Sequence, residues 1–195
     1  MKGKIKKCIK SLLAVMFTTA TLFFIGNSIL FTDAVAASTT SNIWIVGDST
    51  VSGFNDNYYY PRYGWGTQVG NYLDGSFAVQ NLALSGRSSK SYKADPEYQT
   101  LLGGMKNGDY LLVGFGHNDE KAEAERYTNP NGTYLDQGSF ANSLYENYIK
   151  PAQAAGCKVI LCTPIVRRTA TGVWSDSDLH ITTTSGDFIQ RLLGI

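Results

Sequence analysis

Histidine and cysteine are scarce: His117 and His180 are the two histidines and Cys8, Cys157 and Cys162 the three cysteines of a 195-residue chain. No Cys/His cluster with zinc spacing can be assembled from so few, so neither a structural nor a catalytic metal is expected. Cys157 and Cys162 flank Lys158-Val-Ile-Leu161. In a strand, five steps of about 3.3 Å hold those thiols roughly 16 Å apart, too far for a disulfide, and both read as free core cysteines. Cys8 precedes the apolar stretch instead of following it, which is not the place of a lipoprotein anchor. Charge is sparse as well, at 17% of residues with a net +1. That leaves no basic field to hold phosphates, and nucleic acid is not an expected partner. Internal repeats and low-complexity tracts are absent. What remains is 43% hydrophobic and 12% aromatic, ordinary globular composition for one domain with one core.

The charge is unevenly placed. Lys2, Lys4, Lys6, Lys7 and Lys10 against Asp33 give residues 1–36 a net +4, and the remainder is net −3. Those lysines, the apolar stretch Leu12–Phe31 and the small-residue site Ala34-Val35-Ala36 form the n-region, h-region and cleavage site of a secretory signal peptide over residues 1–36. A mature domain of residues 37–195, secreted outside the cell, is expected. The apolar stretch is also close to the ~20 residues that span a bilayer, so an uncleaved membrane anchor is the alternative, and the membrane is a partner only in that case.

Beyond the leader, Ile43–Val46, Phe77–Leu82, Tyr110–Phe115 and Lys158–Cys162 are short apolar runs bounded by turn residues, as buried parallel strands are. Trp65, Val69 and Leu73 fall at helical spacing. Pro96–Met105 predicts a helix with Leu101, Leu102 and Met105 on one side, and Ser139 caps another in which Phe140, Leu144, Tyr148, Ile149 and Ala152 share a face. Pro151 threatens a kink there and Gly156 supplies the stop. Strands alternating with helices predict a doubly wound α/β fold, a three-layer α/β/α sandwich with a central parallel sheet. Ligands of such folds bind at the carboxyl ends of the strands.

Those ends carry polar clusters: Gly47-Asp48-Ser49-Thr50, Ser85-Gly86-Arg87-Ser88-Ser89 and Gly116-His117-Asn118-Asp119. Glu120–Gly138 reads as a long polar loop beside them. Ser49 follows a Gly-Asp turn at the end of a buried strand, where the N-terminus of a following helix would favour negative charge on a nucleophile. The backbone N–H groups of Ser49 and Gly86 and the side-chain amide of Asn118 can supply donors for the oxyanion of acyl transfer. No Gly-x-Ser-x-Gly pentapeptide surrounds Ser49, unlike the α/β-hydrolase elbow.

GDST at 47–50, the glycine of LSGRSS at 84–89 and GHND at 116–119 resemble, in order and spacing, the first three blocks of the SGNH (GDSL) hydrolase family. GWG at 64–66, NLALSGRSSKSY at 81–92, GDYLLVGFGHND at 108–119 and TPIVRR at 163–168 resemble its rhamnogalacturonan acetylesterase branch. The resemblance covers roughly residues 43–190. It implies a flavodoxin-like sandwich and a carboxylic ester hydrolase with Ser49 as nucleophile and Ser49, Gly86 and Asn118 as oxyanion hole. It also implies acetyl esters of plant cell-wall polysaccharide as substrate, and no cofactor.

The family's late Asp-x-x-His block has no counterpart: His180 is preceded at three residues by Ser177. The chain ends within an apparent helix, Asp187–Leu193, so the last strand and its catalytic block are expected to be missing, with His180 as a substitute base. His117 belongs to the oxyanion block, where hydrogen bonding that orients the site is its expected role. Arg87, with Arg167 and Arg168, can meet uronate carboxylates, and Tyr58–Tyr60, Tyr63 and Trp65 can stack on sugar rings. Arg87, His117 and Trp65 are thus the candidate substrate contacts. Asn131-Gly132-Thr133 matches a glycosylation sequon. Two alternatives stand beside a secreted monomeric acetylesterase: an esterase for lipid or peptidoglycan O-acetyl esters, and a non-catalytic carbohydrate-binding relic.

Overall fold

The computed structural model describes residues 40–54 and 61–165, together with the backbone of two short strands at 182–183 and 186–187. The expected signal segment, Tyr58–Tyr60, Arg167, Arg168 and His180 lie outside the described residues. Four parallel strands form the sheet: β1 (Ser41–Gly47), β2 (Phe77–Asn81), β3 (Tyr110–Gly114) and β4 (Lys158–Leu161), in the order β2-β1-β3-β4. Each lies within two residues of the run expected from the sequence. The register pairs Ile43 with Val79 on one side and with Tyr110 on the other, and Tyr110 in turn with Lys158. A separate antiparallel pair joins β5 (Thr182–Thr183) to β6 (Gly186–Asp187). Asp187, expected to open a helix, is therefore in a strand, where its backbone pairs with that of Thr182.

Side chains alternate across the sheet with the period of two that strands impose. On one face Ile43 and Ile45 join Val51, Tyr110 and Leu112, and the 3₁₀ helix α1 (Trp65–Tyr72) covers them with Trp65 and Val69, joined by Leu73 just beyond its end. On the other, Trp44, Val46, Leu111 and Val113 meet Tyr92, Leu101, Phe140, Leu144 and Tyr148. These come from a 3₁₀ turn (Ser91–Ala94), the helix α2 (Pro96–Gly104) and a long helix α3 (residues 140–154). Helices thus cover both faces. Within α2, Leu101 is buried and Met105 follows it into the core, whereas Leu102 lies 36% exposed. Leu102 does not share their face, because one step around a helix turns it about 100° from Leu101.

Ser139 caps α3, its side chain accepting from Asn142 N at 2.9 Å. The helix passes Pro151 without ending because it widens first: Phe140–Leu144 is α-helical, Tyr145–Ile149 is a π turn, and Lys150–Ala154 is α-helical again. In an unbroken α-helix the Pro151 ring would collide with the Asn147 carbonyl, and the π turn opens that spacing. Tyr98 Oη donates to the released Asn147 carbonyl at 3.0 Å. Gly156, at φ +81°, ends the helix in the left-handed conformation open to glycine.

β1 sits at the point where the chain changes direction: the connection from β1 runs one way to β2, and the connection from β3 runs the other way to β4. The crevice beyond the ends of β1 and β3 is the place where doubly wound folds bind ligands.

Candidate active site

β1 ends in Gly47 because nothing larger fits. A Cβ there would lie 2.5 Å from the Gly114 carbonyl oxygen and 2.6 Å from Val51 Cγ2. Asp48, fully buried, then folds the chain over itself. Its Oδ1 accepts from Thr50 N at 2.8 Å and Thr50 Oγ1 at 2.7 Å, and its carbonyl accepts from Val51 N at 3.1 Å and Ser52 N at 3.0 Å. This Asx turn leaves half-buried Ser49 between two anchored residues at the mouth of the sheet. The helix expected to follow Ser49 does not form. The carbonyls of Thr50 and Ser52, which would propagate it, accept instead from Trp65 N at 2.9 Å and Gly64 N at 2.8 Å. Ser49 thus gains the N–H dipoles of one turn and not of a helix.

After β2, Gly86 adopts φ +77°, and no atom stands within 4 Å of where a Cβ would point. A side chain there would project into open space, and the positive φ favours glycine. After β3, Asn118 is 8% exposed, and its Nδ2 donates to the Arg87 carbonyl at 3.1 Å. Between both loops runs a buried cross-link centred on Asp119. The Asp119 carboxylate accepts from Ser89 Oγ at 2.5 Å, Ser89 N at 3.1 Å and Thr128 Oγ1 at 3.0 Å. Ser143 Oγ lies 2.8 Å from Ser89 Oγ and itself accepts from Asn147 Nδ2 at 3.2 Å, which ties the cluster to α3. Burial pushes the Asp119 pKa up to about 7; the Ser89 and Thr128 hydrogen bonds oppose that rise and the Asp48 charge adds to it. Its signal in the sequence is an aspartate in a loop entering the core, with hydroxyl residues at 89 and 128 to meet it.

The three polar loops meet at a cavity of about 510 Å³ lined by Ser49, Ser85, Gly86 and Asn118 together with Phe54, Arg62 and Tyr63. Nucleophile candidate and oxyanion-donor candidates are therefore brought together. Of the other expected contacts, Tyr63 is on this wall, and Trp65, Arg87 and His117 are not. Trp65 packs into the core with Ile43 and Val51, so the aromatic surface of the cavity is the expected Tyr63, 58% exposed, together with Phe54. Arg87 turns aside to a bidentate pair with Asp95, at 2.7 and 2.9 Å, and lines a neighbouring cavity that shares Gly86. His117, 8% exposed, places Nε2 2.9 Å from the Ile165 carbonyl. A carbonyl only accepts, so that nitrogen carries a proton and the ring ties β3's loop to the chain after β4. Among the described residues that line the Ser49 cavity there is neither imidazole nor carboxylate. Arg62 and Phe54 carry no sequence signal, because their segment is returned to Ser49 by contacts between distant residues, the Gly53–Tyr63 bridge and the Gly64 N–Ser52 O and Trp65 N–Thr50 O bonds. A second cavity, about 370 Å³ between α3 and β4, is lined by Tyr134, Tyr145, Ile149, Gln153, Val159 and Leu161 and offers no nucleophile.

The family model of GDSL-like lipases and acylhydrolases matches residues 45–182, from the strand before Ser49 to beyond His180. The chain belongs to the GDSL-like lipase/acylhydrolase family. A probable rhamnogalacturonan acetylesterase of Bacillus subtilis, YesY, is 35% identical over 128 residues, covering 65% of this chain and 55% of that protein. The rhamnogalacturonan acetylesterase RhgT of the same organism is 36% identical over 92 residues, covering 47% of this chain and 38% of its own length. The crystal structure of the B. subtilis protein YxiM superposes with a TM-score of 0.62 at 25% identity, covering 80% of this chain and 40% of that one. The chain thus spans about half or less of the length of these relatives. Within the GDSL-like family, carboxylic ester hydrolysis is the general chemistry.

Proposed function

We propose that this chain carries the nucleophile and oxyanion hole of a secreted serine esterase that removes acetyl groups from plant cell-wall polysaccharide of the rhamnogalacturonan type. The observation that carries the proposal is the cavity lined jointly by Ser49, Gly86 and Asn118. Ser49 Oγ attacks the acetyl carbonyl carbon as its proton passes to a base, and the carbonyl π electrons move onto oxygen. The N–H groups of Ser49 and Gly86 and the Asn118 amide receive that charge. Collapse of the intermediate breaks the bond to the sugar oxygen, which leaves with the proton, and water then cleaves the acetyl-serine to acetate by the reverse sequence. Removing one oxyanion donor from such a site costs about 100- to 1000-fold in kcat.

The substrate class is supported by the names of the relatives, one a rhamnogalacturonan acetylesterase and one a probable rhamnogalacturonan acetylesterase, and by Arg62. It brings a cation to the Ser49 cavity, where a uronate carboxylate on the acetylated chain would pair. Export rests on the leader over residues 1–36. The described lining of the cavity supplies no base, and His180 is the candidate for it within this chain.

The experiment is acetate release from acetylated rhamnogalacturonan and from p-nitrophenyl acetate, by the wild type and by Ser49→Ala, Asn118→Ala and His180→Ala. Release by wild type, lost in Ser49→Ala and cut about 100-fold or more in Asn118→Ala, is expected. Loss in His180→Ala as well assigns the base. Unchanged release by Ser49→Ala refutes the proposal, and binding of the polysaccharide without hydrolysis by a folded wild type makes this a carbohydrate-binding chain instead.

A further inference from the structure

An asparagine donates to an oxyanion only when its amide is held with nitrogen, not oxygen, toward the substrate, because half a turn presents a lone pair to the developing charge. Asn118 meets a partner on each side. The Arg87 carbonyl takes a hydrogen bond from Nδ2 at 3.1 Å, and Arg126 Nη1 donates to Oδ1 at 3.4 Å. A flipped amide would set Oδ1 against the Arg87 carbonyl oxygen and its N–H groups against the guanidinium. We propose that Arg126 is the positioning residue of the oxyanion hole. Its guanidinium pins Oδ1, the Arg87 carbonyl takes one Nδ2 proton, and the second Nδ2 proton is left for the substrate. The inference rests on the role proposed above for Asn118.

The loop after β3 is built to deliver that guanidinium. Its base is closed by Thr128, whose N donates to the Asp119 carbonyl at 3.1 Å and whose Oγ1 donates to the Asp119 carboxylate at 3.0 Å. Its tip is a turn in which Arg126 N and Tyr127 N both donate to the Glu123 carbonyl at 2.9 Å. Glu123 Oε1 accepts from Arg126 Nη2 at 2.5 Å, so one arm of the guanidinium is committed to Glu123 while the other reaches Asn118. Lys90 Nζ, donating to the Ala124 carbonyl at 2.5 Å, fastens the tip to the Gly86 loop segment. The planar fork does what an ammonium cannot, since a point charge on a flexible stem serves two fixed acceptors poorly. The cation beside Oδ1 also polarises the amide, which strengthens Nδ2–H as a donor.

The test pairs crystallography with kinetics on the full chain. In crystals of Arg126→Ala the Asn118 amide is expected to leave its contact with the Arg87 carbonyl; an amide still within hydrogen-bond distance of that carbonyl overturns the proposal. With p-nitrophenyl acetate, Arg126→Ala is expected to lower kcat about 10-fold or more with KM unchanged, short of the ~100-fold or greater loss for removing a donor outright. Arg126→Lys should recover only part of this. In an Asn118→Ala background, Arg126→Ala should cost nothing further. An equal fold-loss in both backgrounds means that Arg126 acts without Asn118 and refutes the proposal. If Asn118→Ala hydrolyses as the wild type does, the oxyanion role of Asn118 has failed, and the proposal with it, whatever the crystals show of the amide. Should Arg126→Ala not fold, Arg126→Gln carries the same two measurements.

Discussion

Replacing Asp119 by asparagine should remove a pH dependence of stability that the wild type shows. The Asp119 carboxyl is fully buried and its native pKa is pushed up to about 7 by that burial, with the Asp48 charge adding to the rise, against an ordinary value of 3.8. Between those two values the native protein holds a proton that the unfolded chain has released. Unfolding is therefore favoured increasingly as pH rises, by up to about 1.4 kcal/mol per pH unit, and the slope vanishes above about pH 7, where both states are ionised. Across the three units or so between the two values, the loss amounts to about 4 kcal/mol as an upper figure. The amide of Asp119→Asn would not titrate, and its side-chain oxygen can still accept from Ser89 or Thr128 in the wild-type geometry. The assay is urea unfolding of both proteins from pH 4.5 to 8. Comparing the two cancels the contributions of other titrating groups. The wild-type stability relative to Asp119→Asn should fall with rising pH to about 7 and then level off. A difference that stays constant across the range refutes burial as the force acting on this carboxylate.

Three further substitutions test other parts of the structure. Trp44→Phe removes a 2.8 Å donor from Asp109, whose carboxyl is raised by burial but brought below its ordinary value by hydrogen bonds from Asn42, Trp44 and Lys106. A depressed native pKa contributes stability that is present above the unfolded value and lost as pH falls through the native one, so the variant should lose about 1–3 kcal/mol at pH 6 and progressively less as the pH falls below the unfolded value of 3.8, by urea unfolding. Ser139→Ala deletes the cap on α3 and should cost about 1 kcal/mol, read as a lower urea midpoint at unchanged slope. Gly47→Ala forces a Cβ to 2.5 Å from the Gly114 carbonyl oxygen; it should destabilise by about 1–3 kcal/mol or more, and wild-type stability by the same assay would contradict the close approach.

The strands were legible because a strand buried on both faces is an apolar run stopped by glycine or asparagine, and Ile43–Val46 and Tyr110–Phe115 carry that mark plainly. The polar clusters after them were legible because the fold class puts ligands at strand ends. What the sequence concealed depends on contacts between segments. Trp65 looks like a sugar platform, yet its helix is pressed so close to β1's turn that a Cβ on Gly66 would lie 2.6 Å from the Val51 carbonyl oxygen, and the indole packs inward. Arg87 looks free until the 3₁₀ turn brings Asp95 to it. Arg126 and Arg62 lie in loops whose return paths are set by a few scattered hydrogen bonds, which leave no periodic pattern. The helix expected after Ser49 fails for the same reason, since Gly64 and Trp65 claim the carbonyls it needs.

The central claim is that Ser49 is a nucleophile facing the donors of Gly86 and Asn118. It is tested most directly by incubating the folded protein with an activated phosphonate ester and locating the adduct by peptide mass spectrometry. A single adduct on the peptide that contains Ser49, absent from Ser49→Ala and formed more slowly by Asn118→Ala, is the expected result. A folded wild type that stays unlabelled, or a label that forms at another residue and persists in Ser49→Ala, would contradict it.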